Sequence, residues 1–304
     1  MLGNTQETVA LRNVAALAEF QGSVWASCYG EGLFVYEKQG WRRVQGASRY
    51  ITGLAIDAKS LWYCTWMEGE IGYVANKQVA RLRLPTLLTP RFVFRNYCIA
   101  VDEKSVWVGS MGGLLRLEKG DNEAAPEWDL VIGTDGIGPS VITPFPGGAY
   151  FDGGSYFDGS GLWKIEIRAD RLVVEKVQAD IFVTGLAFDV DREVLWVSSP
   201  ESLWRYYVKV NRLEHVVKIL SGRGSELIQS ILPTERGVYM AVGLPDLTTD
   251  ARPPAKGGVV VWHREDGRWE WLDGIRVRNA RCLVRHQGSL VVGGREGVQM
   301  VQDL

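Results

Sequence analysis

Val106-Trp107-Val108-Gly109-Ser110-Met111-Gly112-Gly113-Leu114-Leu115-Arg116-Leu117 reads as two short apolar strands either side of a glycine turn. The apolar residues run together instead of recurring at helical spacing, and three glycines would break a helix. The same order returns along the chain. Val24-Trp25-Ala26-Ser27 precedes Gly30-Glu31-Gly32-Leu33-Phe34-Val35-Tyr36, and Leu61-Trp62-Tyr63-Cys64 precedes Ile71-Gly72-Tyr73-Val74. Further anchors are Ala149-Tyr150, Leu195-Trp196, Val238-Tyr239 and Leu290-Val291, so the anchor falls at 25, 62, 107, 150, 196, 239 and 291. Seven units at that spacing, each long enough for four strands, predict an all-β, seven-bladed propeller.

Three predicted inner strands end alike: Gly53-Leu54-Ala55-Ile56-Asp57, Ile99-Ala100-Val101-Asp102 and Gly185-Leu186-Ala187-Phe188-Asp189, the last read as a strand from 183 to 189. Each Asp sits where its carboxylate accepts backbone N–H groups of the next turn, and recurrence in phase favours that role over catalysis. The last unit supplies only three strands: 280–286, 289–295 and 298–303. Residues 6–11, ahead of the first inner strand at 14–20, form a spare strand. Pairing it with the last blade closes the ring and leaves no open edge, which makes residues 1–304 one domain.

Composition agrees. The chain has 304 residues, 46% hydrophobic and 23% charged, with 35 Gly and 12 Trp: many tight turns joining aromatic-anchored strands. Lys and Arg total 34 against 36 Asp and Glu, a net charge of −2, without the basic footprint of a nucleic-acid binder. No apolar run is long enough to span a membrane, and the N-terminus lacks the pattern of a secretory signal. The scattered Cys28, Cys64, Cys98 and Cys282 read as reduced core residues, so the expected compartment is the cytoplasm.

The Trp-x-Gly-x-x-x-Gly-Leu-x-Arg-Leu run from Val106 to Leu117 is similar to the two-component regulator propeller repeat, which residues 24–36, 194–206 and 61–74 match more loosely. The resemblance implies the propeller fold. In that family such repeats form extracytoplasmic sensor domains joined to a membrane helix and a signalling module, so a stand-alone relative is implied here.

Ligands of a propeller meet on the loops that join second to third strands and outer strands to the next inner strand. The unusual sequence falls there: Arg91, Phe92, Phe94 and Arg95 within 85–95, the tip 153–161 with Tyr156 and Phe157, and the insertion 244–258 with Asp246, Asp250, Arg252 and Lys256. Long loops clustered on one face of a repeat fold mark its binding face, and arginine with aromatics carries much interface energy. These ten residues are the expected contacts of a protein or peptide partner.

Arg49, Arg223, Arg276, Arg278 and Arg295 border the same channel mouth, where guanidinium forks suit an acidic peptide, a nucleotide or a phosphorylated partner. Glu31, Glu68, Glu70, Glu201 and Glu226 are close enough in the repeat to pair with them instead.

Catalytic groups are sparse. His215, His263 and His286 fall on an outer, a third and an inner strand. Asp152 with Asp158, and Asp246 with Asp250, are the densest carboxylates, too few for a cation cage. No metal or cofactor is expected. The reading is a non-enzymatic protein-binding scaffold or regulatory subunit. The alternatives are a metal-dependent lactonase- or lyase-like propeller, and a sensor of a small acidic ligand.

Overall fold

The computed structural model describes residues 11–38, 40–66, 68–84, 96–110, 113–119, 128–131, 138–153, 161–169, 171–178, 180–219, 226–244 and 257–302. Seven antiparallel sheets follow one another along the chain, over 14–43, 51–83, 96–130, 142–178, 185–218, 227–271 and 280–302, and we number these blades 1 to 7. Blades 1 to 6 each have four strands in up-and-down order, and blade 7 shows three among the described residues. Each inner strand lies beside the next blade's inner strand, and Ala280–His286 of blade 7 lies beside Val14–Phe20 of blade 1, so the row is a closed circle.

The anchors sit where the repeat predicts, all on second strands, and the register explains them. Trp25, Trp62, Trp107 and Trp196 stand directly opposite Ala18, Ala55, Ala100 and Ala187 on their inner strands. A small residue toward the axis, where the blades crowd, leaves room for a large ring one strand further out. Seven apolar clusters result, one in each cleft between neighbouring blades. Trp107, for instance, packs on Ala149, Phe151 and Ile165 of blade 4. The motif glycine ahead of the third strand has a backbone cause: Gly32, Gly113, Gly161, Gly258 and Gly297 all enter that strand at φ between +114° and +134°, a region β-carbon-bearing residues rarely occupy.

At the closing seam Leu11, Val14, Ala26, Cys28 and Phe34 pack with Cys282 of blade 7. The Asn13 amide donates to the Arg295 carbonyl at 3.0 Å. Of the expected closing strand only Leu11 is described; it is buried, and its carbonyl lies 2.7 Å from where a β-carbon on Gly297, the first residue of the last strand, would sit. Residues 6–10 lie outside the described residues. The strand boundary that differs most from expectation is in blade 5, whose inner strand begins at Gly185. Ile181 and Val183 are buried between blades 4 and 5 ahead of it, so their apolar run reports burial, not strand pairing.

Candidate functional site

The two faces of the disc are built differently. On the face of the inner-to-second turns, the recurring aspartates are structural clamps. Asp57 accepts the amides of Lys59 and Ser60, both at 2.8 Å, and the Trp62 indole N–H at 3.0 Å. Asp102 does the same for Lys104 and Ser105, both at 2.7 Å, and for Trp107 at 2.8 Å. Struts then cross between blades. Lys119 of blade 3 reaches Asp57 of blade 2 at 2.6 Å and donates to its own blade's Asp102 carbonyl at 2.6 Å. Burial works against the Asp57 charge, but Lys119 and the clamped N–H groups outweigh it and hold the carboxyl below its ordinary pKa.

Blade 5 departs from this pattern for a reason visible in the chain: its Asp stands seven residues before the anchor, Asp189 to Trp196, instead of five. Asp189 binds Arg192 at 3.1 Å and Arg264 of blade 6 at 3.2 Å. Arg264 lies 5.1 Å from the Trp196 ring centre and donates to the Thr234 carbonyl. Among the described residues the buried Trp196 indole N–H finds no hydrogen-bond partner. Trp107 and Trp196 are both fully buried, so Trp→Phe removes equal volume at each. Trp107→Phe should cost about 1–2 kcal/mol more than Trp196→Phe in urea unfolding, since only the first breaks a hydrogen bond. Equal costs would contradict the clamp.

On the opposite, loop face, a row of hydrogen bonds fixes backbone from blade to blade. The Leu244 amide donates to Asn279 Oδ1 at 2.6 Å, and the Arg295 amide to the Asn279 carbonyl at 3.3 Å. Asn13 donates to Arg295, Tyr29 to Asn13 at 2.9 Å, Gly30 to Arg49 at 2.9 Å and Trp66 to Tyr50 at 2.8 Å. Arg49, Arg278 and Arg295, which the sequence assigned to the channel mouth, therefore lie along one arc over blades 6, 7, 1 and 2, while the Arg276 amide donates to Gln299 on the third strand of blade 7 at 2.6 Å. Arg12, Tyr29, Tyr50 and Trp66 join the arc. The sequence reading missed these four because they lie within two residues of a strand and carry no loop-length signal.

Arg12, Arg49, Arg276 and Arg278 are exposed, and no ion pair forms at any of them among the described residues. Three of the five acids expected to neutralise this rim are engaged with other groups: Glu70 with Arg81 at 3.5 Å, Glu201 with Lys218 at 2.8 Å, and Glu68 with the Ser48 hydroxyl. Arg223 and the ten expected partner contacts, Arg91, Phe92, Phe94, Arg95, Tyr156, Phe157, Asp246, Asp250, Arg252 and Lys256, lie outside the described residues.

The other candidate groups have structural employment. Asp152 accepts the Ser140 amide at 2.6 Å, the Ser140 hydroxyl at 3.0 Å and the Val141 amide at 2.7 Å, which pins the connection into blade 4. His215 meets the Trp204 ring, His263 pairs with Glu270 at 3.1 Å, and His286 lies 3.7 Å from Glu19. Among the described residues no three His, Cys, Asp or Glu side chains group to hold a metal. All four cysteines are free. Burial raises the thiol pKa of Cys28 to about 12 and of Cys64 to about 11, so both stay protonated near neutral pH.

No family model matches the chain, and no curated protein does. Solved structures do. The extracellular domain of BT4673 from B. thetaiotaomicron, assigned to a one component or hybrid two component system, is similar at TM-score 0.70 and 14% identity, over 96% of this chain and 38% of that one. The Swd1 β-propeller domain of Myceliophteria thermophila gives TM-score 0.72 at 11% identity, over 99% and 100%. A catalytically inactive virginiamycin B lyase from Staphylococcus aureus gives 0.71 at 13%, over 100% and 98%. The resemblance read from the repeat is thus matched at the level of fold. The chain spans about two fifths of the length of the BT4673 domains. No helix among the described residues is long and apolar enough to cross a membrane.

Proposed function

We propose that the chain is a non-enzymatic scaffold or regulatory subunit that binds a protein or peptide through its loop face. The asymmetry of the two faces carries this reading. Turns on one side are mostly short and closed by aspartate clamps and inter-blade struts. On the other side lie the longest connections between described strands, 84–95, 131–141 and 244–257, beside short ones such as 29–31 and 199–201. A stiff ring with its length variation on one face suits binding chemistry that lives in loops. Propellers of the same fold occur in protein assemblies such as the mitotic checkpoint complex, which supports the reading by analogy alone.

The proposed contacts are Arg91, Phe92, Phe94, Arg95, Tyr156, Phe157 and the 246–256 stretch. The proposed compartment is the cytoplasm, which the free thiols favour. Affinity capture from the native source tests the surface. An Arg91→Ala, Phe92→Ala, Arg95→Ala variant should recover the partner on the order of tenfold less well than the parent chain. Undiminished recovery would overturn the proposed surface.

A further inference from the structure

The arc over blades 7, 1 and 2 carries a more specific assignment, which rests on the scaffold reading and names its ligand. Its backbone is fixed by the hydrogen-bond row through Asn279, Arg295, Asn13, Tyr29 and Arg49. Arg278 and Arg12 directly precede two of these fixed residues, Asn279 and Asn13. Arg278, Arg12 and Arg49 are therefore exposed cations held on successive loops, and no described carboxylate pairs with them. Tyr50, next to Arg49 in the chain and 43% exposed, meets the half-buried Tyr29 ring edge to face at 5.6 Å. An aromatic pair with one exposed ring, beside unpaired guanidinium groups, offers apolar contact and carboxylate forks side by side.

Two features narrow the ligand. The cations stand on different loops of neighbouring blades and do not share one, which suits an extended chain better than one small anion. Carboxylates also punctuate the arc: Glu296, which accepts the Asn279 amide at 3.2 Å, then Glu31, then Glu68 bound to Ser48. A uniformly charged phosphodiester strand would meet these repulsively at its fixed spacing. A peptide can space its acids to miss them. We propose that this arc binds an extended acidic peptide segment, its carboxylates on Arg278, Arg12 and Arg49 and an apolar or aromatic side chain on the Tyr29–Tyr50 pair.

Fluorescence anisotropy with a fluorescein-labelled Glu-rich peptide carrying one Phe tests this on the whole chain. A labelled oligonucleotide of equal charge and a Lys-rich peptide serve as comparators. The parent should bind the acidic peptide at least about tenfold more tightly than either. An Arg12→Gln, Arg49→Gln, Arg278→Gln triple variant should lose about tenfold or more in affinity with an unchanged Tm. The matching Arg→Lys triple, which keeps the charge but not the fork, should bind between the parent and the Gln triple, and Tyr50→Ala should weaken the Phe-bearing peptide but not its Phe→Gly version. Several outcomes overturn the assignment: acidic and basic peptides binding alike, the Gln triple binding as the parent does, or the oligonucleotide binding as well as the peptide. None of these touches the capture test above, which uses other residues. Intact partner capture together with a failed peptide would reject this ligand and leave the scaffold standing.

Discussion

Val14→Asp should lower the Tm of the whole chain on the order of 6 °C, while Val210→Asp leaves it unchanged. Val14 is fully buried at the seam between blades 7 and 1, and Val210 is 66% exposed. One Val14 methyl lies 2.8 Å from where a β-carbon on Gly293 would sit, so the space beside the neighbouring blade is already filled. A carboxylate there loses its water and gains no designed partner, a cost of about 4 kcal/mol. Unfolding entropy rises with length, so in a chain of 304 residues each kcal/mol moves Tm by somewhat less than the ~2–4 °C typical of smaller domains. At Val210 the new side chain stays in water and the change should be within about 0.5 kcal/mol. Thermal unfolding followed by circular dichroism compares the two. Equal, small shifts would mean that the seam does not hold the ring together.

Gly72→Ala should destabilise by about 3 kcal/mol, and most of that loss should vanish when Tyr63 is replaced by Leu. Gly72 stands opposite Tyr63 in register, and an added β-carbon would lie 2.1 Å from the ring's Cζ. The ring cannot swing away, because it is fully buried in the cluster between blades 1 and 2. Burial also lifts the phenol to about 12, and among the described residues its hydroxyl makes no well-formed hydrogen bond. Tyr63→Leu therefore strands no donor or acceptor while clearing the space above residue 72. A double-mutant cycle in urea reads the coupling, which should exceed about 1.5 kcal/mol. Simple additivity would show that the strain of Gly72→Ala lies elsewhere.

The fold was legible because its determinants are local and repeated. The Trp–Gly–Gly–Leu order reports a second strand, a turn with positive φ and a third strand, and it does so in successive blades. The aspartate clamps were legible for the same reason: Asp57 and Asp102 stand five residues before their tryptophans and act alike. Blade 5 shows the limit of reading by phase. Two extra residues after Asp189 leave the motif recognisable but redirect its carboxylate to Arg192 and Arg264, the second 75 residues away in sequence.

The candidate site was legible in part. Arg49, Arg278 and Arg295 do share one face. Whether rim cations are paired depends on rotamers and cross-blade neighbours that periodicity does not encode, and the structure settles it for Glu70 and Glu201, which turn to Arg81 and Lys218. The Tyr29–Tyr50 contact joins loops of two blades and has no signature in either loop alone.

Hydrogen exchange on the chain with its captured partner bound tests the central claim, that one face of the ring does the binding. The account predicts slowed exchange on the loop face, in 91–95 and 246–256 and, where the acidic segment docks, in 29–31, 44–50 and 272–279, with the clamped turns 57–60 and 190–193 unchanged. Slowing confined to those turns, with the loop face untouched, would contradict it.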